Sequence, residues 1–125
     1  MVKSVQEVEE FIKEIHRLLR ESPKNLHIVV KHTVEDKTHN FMNEYNLTDE
    51  MVCDELLKLC TINYSKTEPD NDERFKEEHC WFLGQMYKVP GMKNYMEIYI
   101  KIKLRKRVLC LSFHPKEFDI RYPYL

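Results

Sequence analysis

From Tyr95 to His114 the chain reads YMEIYIKIKLRKRVLCLSFH, with an apolar residue at nearly every second position. A period of two sends alternate side chains to opposite faces of an extended strand, so this stretch specifies a β-hairpin with one oily and one polar face. If Arg105-Lys106 forms a two-residue turn, Ile102 lies opposite Leu109, Ile100 opposite Leu111 and Ile98 opposite Phe113 on the oily side. The polar side then pairs Lys101 with Cys110, Tyr99 with Ser112 and Glu97 with His114. A three-residue turn would mix the two faces, so the hydrophobic pattern selects the even register. Arg-Lys lacks the Gly, Asn or Asp that positive φ favours, and a four-residue loop of the same parity stays open.

The segments before the hairpin change period. Ser4 followed by Glu7 has the form of a capping box, and Val5, Val8, Phe11, Ile12, Ile15, Leu18 and Leu19 then recur on one helical face until Ser22-Pro23. His16 lies at the edge of that stripe and reads as structural. Residues 26–32, LHIVVKH, are β-branched and short, which predicts a strand. Residues 33–46 have weak helical periodicity, and a second clear helix starts at Thr48 and ends near Leu59 to Ile62. The polar run 63–79, NYSKTEPDNDERFKEEH, reads as a long loop with at most one helical turn near Arg74.

Three strands follow, over 80–89, 94–104 and 107–113. The expected fold is α+β, with N-terminal helices on one face of a small antiparallel sheet. It forms a single domain over 1–125: a helical half to about residue 62, the polar loop, an antiparallel meander over 80–114 and a tail over 115–125. The tail aromatics Phe118, Tyr122 and Tyr124 either pack back over the fold or contact a partner.

Composition narrows the function classes. Four cysteines show no CxxC pair, and Cys53 and Cys60 on one helix would sit roughly 10 Å apart, beyond disulfide reach. Neither they nor the scattered histidines have metal-ligand spacing, so no metal and no cofactor is expected. Glu7, Glu9, Glu10 and Glu14 interrupt the N-terminal apolar residues, leaving no signal peptide or membrane span, and a cytoplasmic location is the expectation. The net charge of −1 hides an asymmetry: residues 1–87 hold 11 Lys+Arg against 18 Asp+Glu, or −7, and residues 88–125 hold 9 against 3, or +6. Either the basic third meets an anionic partner such as RNA, or the two parts neutralise each other across the fold.

The polar hairpin face has the groups for metal-free RNA cleavage, which needs a base for the 2′-hydroxyl, an acid for the leaving 5′ oxygen and donors around the phosphorane. His114 is the natural acid or base, with Glu97 opposite to orient it. Lys101 would stabilise charge, Tyr99 would donate or stack, and Lys103 would extend the cationic patch. Gln85 and Tyr87 have two possible placements. A tight turn at Pro90-Gly91 sends both to the oily side, whereas one extra loop residue brings them and Trp81 beside Tyr99 and Lys101.

The run 64-YSK-66, Trp81, 85-QMYKVP-90, 99-YIKI-102 and 109-LCLSFH-114 resembles the MqsR family of toxins, over roughly residues 26–116. The resemblance implies a RelE-like fold and an mRNA-cleaving endoribonuclease that acts without metal and is inhibited by a cognate antitoxin protein. It makes Lys66, Tyr99, Gln85 and, in the place of a family lysine, His114 the catalytic candidates. Lys101, with Tyr87 and Lys88 of the QMYKVP segment and Lys103, would bind substrate. In this sequence 82-FLG-84 separates Trp81 from Gln85, which the family has adjacent. The alternative is a non-catalytic module that binds RNA or protein through the exposed sheet face.

Overall fold

Ser4 and Glu7 start the first helix as their spacing predicts. The Ser4 hydroxyl accepts the Glu7 backbone N–H at 3.2 Å, and the Glu7 carboxylate accepts the Ser4 N–H at 3.2 Å. The computed structural model describes residues 1–125 and runs α1 (Val5–Glu21), β1 (Leu26–Ile28), α2 (Lys37–Glu44), α3 (Asp49–Leu56), β2 (Tyr64–Pro69), β3 (His79–Tyr87), β4 (Met96–Leu104) and β5 (Val108–Pro115). The fold is α+β. The five strands form one mixed sheet in the order β1-β5-β4-β3-β2, with β1 parallel to β5 and every other pair antiparallel.

One sheet face is sealed by the helices. Phe11 of α1 stacks on Trp81 with ring centroids 3.9 Å apart and planes within 5°. Val8, Ile15, Leu56, Leu83, Ile98, Ile100 and Ile102 lie in one continuous core with Phe113. Helix α2 closes an edge. The short β1 pairs β5 only over Val108–Cys110, and farther along the Phe113 N–H donates to the buried Thr38 hydroxyl of α2 at 2.9 Å. A strand edge left without a donor's partner would be costly, and Thr38 removes that cost.

The meander expected over 80–114 is the centre of the sheet, but the polar run before it is not a loop throughout. Residues 64–69 form β2 against β3. A bulge at Ser65 separates the two inward residues, Tyr64 and Thr67, by three positions, and their hydroxyls lie 2.8 Å apart in the interior. Period-two alternation is lost there, so the strand looks like loop in the sequence.

The β4–β5 hairpin also departs from expectation. Leu104 pairs with Val108 across a three-residue turn, and Ile102 faces Cys110 rather than Leu109. A bulge at Leu111 then restores the original parity, so Ile100 faces Phe113 and Tyr99 faces His114. The turn that should have mixed the faces is compensated within the same hairpin. Cys110 therefore enters the core, where burial pushes its thiol up to about 12, and Leu109 turns outward beside Lys103.

After β2 the acidic segment folds onto the outer face of the sheet. Asp70 and Glu78 hold the ammonium of Lys103 at 2.5 and 3.4 Å, and Glu78 also holds Arg105 at 2.6 Å. Phe75 lies under both cations, 4.7 Å from Lys103 and 4.9 Å from Arg105.

Two expectations follow. Trp81 is the only tryptophan, so its fluorescence reports the α1–sheet contact. Phe11→Ala should cost about 3–4 kcal/mol in denaturant unfolding and shift native emission to the red, because it removes the stacked ring. The second concerns acid. Burial raises the Asp70 carboxyl, but the Lys103 hydrogen bond and the Asp72 N–H outweigh it and leave it below its ordinary value. Glu78 is lowered by Arg105, against burial, with help from Lys103. Both groups thus stabilise fully above their unfolded values near ~4 and lose that contribution as pH falls through their lower folded values. The Tm of wild type should drop in that acid window, and a Lys103→Met variant should drop less. Asp70→Asn with Glu78→Gln, which leaves the Lys103 ammonium without a counter-charge, should lower the Tm at neutral pH.

Candidate functional site

The strand registers arrange the outer face in rows. Lys66 of β2, Phe82 of β3, Lys101 of β4 and Ser112 of β5 lie opposite one another across four strands. In the next row Gly84, Tyr99 and His114 are aligned in the same way. The Lys66 and Lys101 ammoniums both reach the Phe82 ring, at 5.0 and 5.4 Å from its centroid. Tyr99 tilts against Phe82 at 6.1 Å and against His114 at 5.4 Å.

The electrostatics suit an anion. Lys66 faces Glu68 at 3.0 Å, but both side chains are more than two-fifths exposed, so the pair is weak and exchangeable. Burial, with smaller contributions from Cys80 and Glu68, pushes Tyr99 up to about 12, which leaves its hydroxyl a protonated donor. His114 Nδ1 lies 2.9 Å from the Pro115 carbonyl oxygen. A carbonyl can only accept, so Nδ1 carries the proton and Nε2 of the neutral ring keeps its lone pair.

Lys66, Tyr99, Lys101 and His114 thus come together, while the other sequence candidates do not join them. Gln85 and Tyr87 take the oily-side register. Gln85 donates through Nε2 to Glu55 of α3 at 2.9 Å, its Oε1 is buried without a partner, and Tyr87 packs on Phe113. Lys88 is exposed just beyond the end of β3. Lys103 is on the correct face but only 4% exposed, with its charge engaged by Asp70 and Glu78. Glu97 does not face His114, because the three-residue turn and the bulge at Leu111 each shift the register by one residue.

Two contributors to the site were not assigned to it from the sequence, although packing of the tail aromatics back over the fold was one of their two readings. Phe82 is the shared floor of the two lysines, and its outward position follows from the same register that buries Gln85. The C-terminal segment 116–125 crosses the outer face, with Phe118 edge-on to Tyr99 at 5.5 Å and Tyr122 over Gly84. The only signal for it was the aromatic content of the tail. Phe82, Tyr99, Lys66 and the tail enclose a cleft of about 560 Å3.

No three His, Cys, Asp or Glu side chains are grouped so as to hold a metal ion. No helix is long and apolar enough to cross a membrane. Comparison with known proteins gave no match among curated proteins or solved structures. One protein family matches, described as motility quorum-sensing regulator, toxin of MqsA, over residues 13–115, which include every strand of the sheet. The chain belongs to this MqsR toxin family and is the toxin member of a toxin–antitoxin pair.

Proposed function

We propose that the protein is an endoribonuclease that cleaves mRNA at the Phe82 floor, acts without a bound metal, and is inhibited by its antitoxin. The observation that carries this reading is the pair of rows in which two lysines flank an outward-facing, half-buried aromatic ring beside a tyrosine hydroxyl and an imidazole. Cations over a stacking surface suit single-stranded RNA, whose phosphates need charge and whose bases need a flat apolar contact. The α+β arrangement fits the RelE-like fold that the resemblance implies, with the catalytic groups on the sheet face opposite the helices.

In the proposed reaction His114 Nε2 takes the 2′-hydroxyl proton, the 2′ oxygen attacks phosphorus, and the bond to the 5′ oxygen breaks. Lys66 gives its proton to that departing oxygen, and the products carry a 2′,3′-cyclic phosphate and a free 5′-hydroxyl. Lys101 and the Tyr99 hydroxyl stabilise the charge that develops on the phosphorane oxygens. His114 is only 7% exposed, so it acts on a ribose seated directly beside Tyr99. That same shielding favours the second reading, a binding face on which His114 merely supports Tyr99.

Cleavage of a mixed-sequence RNA in EDTA, with fragment ends mapped, separates the two. The ribonuclease reading expects wild type to cut, His114→Ala to lose about 10²–10⁴-fold in kcat, and Lys66→Ala to fall comparably, with affinity for a 2′-O-methyl analogue of the RNA little changed in His114→Ala. Binding without cleavage by wild type would leave only the docking face. Glu68→Gln should tighten RNA binding about two- to fivefold at low salt, since it removes the carboxylate that competes for Lys66.

A further inference from the structure

The family match ends at Pro115, yet residues 118–123 just beyond it wall the cleft. Their path is fixed by one carboxylate. Glu97 Oε1 accepts the Lys116 ammonium at 2.8 Å and Glu97 Oε2 accepts the Tyr122 hydroxyl at 2.7 Å. The Lys116 N–H also donates to the Glu97 carbonyl at 2.9 Å. Residues 116–122 are therefore an arch with both feet on the same side chain. Beyond it, Tyr124 stacks on Tyr64 and donates to the Lys3 carbonyl.

What the arch holds out is specific. Phe118 is 59% exposed although its edge rests on Tyr99, and Arg121 is exposed on the cleft rim. A single exposed aromatic is ordinary by itself, but here the pinned arch and the Tyr99 contact fix the Phe118 ring on the wall of the cleft. Across the cleft lies Phe82 with its two lysines. The lining is mostly apolar, with cations at its margins, and the volume falls in the range of small-ligand sites. Gly84 makes room for the arrangement, since a Cβ there would collide with the Tyr122 hydroxyl.

We infer that the arch completes a nucleobase-binding slot, in which Phe118 stacks on one unpaired base of the RNA and Arg121 contacts the adjoining phosphate. This rests on the ribonucleic-acid reading above and adds recognition groups from outside the family segment. The arch does not enter the chemistry. It fixes where the strand sits relative to Tyr99 and His114, and it prefers bases that stack well.

The test uses the full chain and a single-stranded 2′-O-methyl oligonucleotide carrying 2-aminopurine, which cannot be cleaved and whose fluorescence is quenched on stacking. Phe118→Ala should weaken binding about tenfold or more and abolish part of the quench, while Phe118→Trp should preserve both. Arg121→Ala should lower the salt slope by about 0.7, the release expected for one phosphate contact on a single strand. Glu97→Gln, which loosens both feet, should reproduce the Phe118→Ala loss, and limited proteolysis of the tail checks that the Phe118 and Arg121 variants keep it docked. Unchanged binding in Phe118→Ala and Arg121→Ala overturns the slot while leaving the ribonucleic-acid reading intact. Tighter binding in those variants also overturns it, and would make the arch a cover. No binding by wild type overturns the slot and the ribonucleic-acid reading together.

Discussion

Strand β4 holds the molecule together because both of its faces are occupied. Ile98, Ile100 and Ile102 are fully buried against the helices, and the residues between them, Tyr99, Lys101 and Lys103, build the opposite surface. The strand is central, paired on each side by β3 and β5, so neither face can rotate without breaking two ladders. The core thereby sets the spacing of the site. Burying three isoleucines at every second position places Tyr99 and Lys101 on the outer face about 7 Å apart along the strand.

The outer face is not simply left to water. At one end the 70–78 segment sits on Lys103 and Arg105, and at the other the arch sits on Glu97 and Gly84. Between the two covers Lys66, Phe82, Lys101 and Tyr99 of the middle rows stay partly accessible. Both covers are attached by ion pairs and hydrogen bonds to side chains of β4 itself. The strand that forms the site also carries its two margins.

How much of this could be read from the chain varied with the signal. Helix α1 was legible to its cap because Ser4, Glu7 and the seven-residue apolar stripe agree. The faces of β4 were legible because alternation there is unbroken. Strand β2 was hidden by the bulge at Ser65, and the inner half of β5 by a three-residue turn and a compensating bulge, since each adds a residue and inverts the parity on which the reading depends. Tyr99, Lys101 and Lys66 lie on neighbouring positions of the outer face. Gln85 does not join them, because the turn after Val89 sets the register that sends it to Glu55. Phe82 was missed because an aromatic in an alternating strand is normally assigned to the core.

The attachment of the acidic segment to the basic hairpin has a consequence for range. The excess of −7 in residues 1–87 and of +6 in residues 88–125 meets partly within the fold, through Asp70, Glu78, Lys103 and Arg105, and leaves a molecule of net −1. Beyond a Debye length of about 8–10 Å such a body presents almost no positive field to a polyanion. Under the proposed function, a strand of RNA would therefore not be gathered from a distance. It would meet the positive charge of Lys66 and Lys101 only once it lies on the surface, so that collision, fit and the local concentration of accessible single strands, rather than long-range attraction, would set how often the cleft is filled.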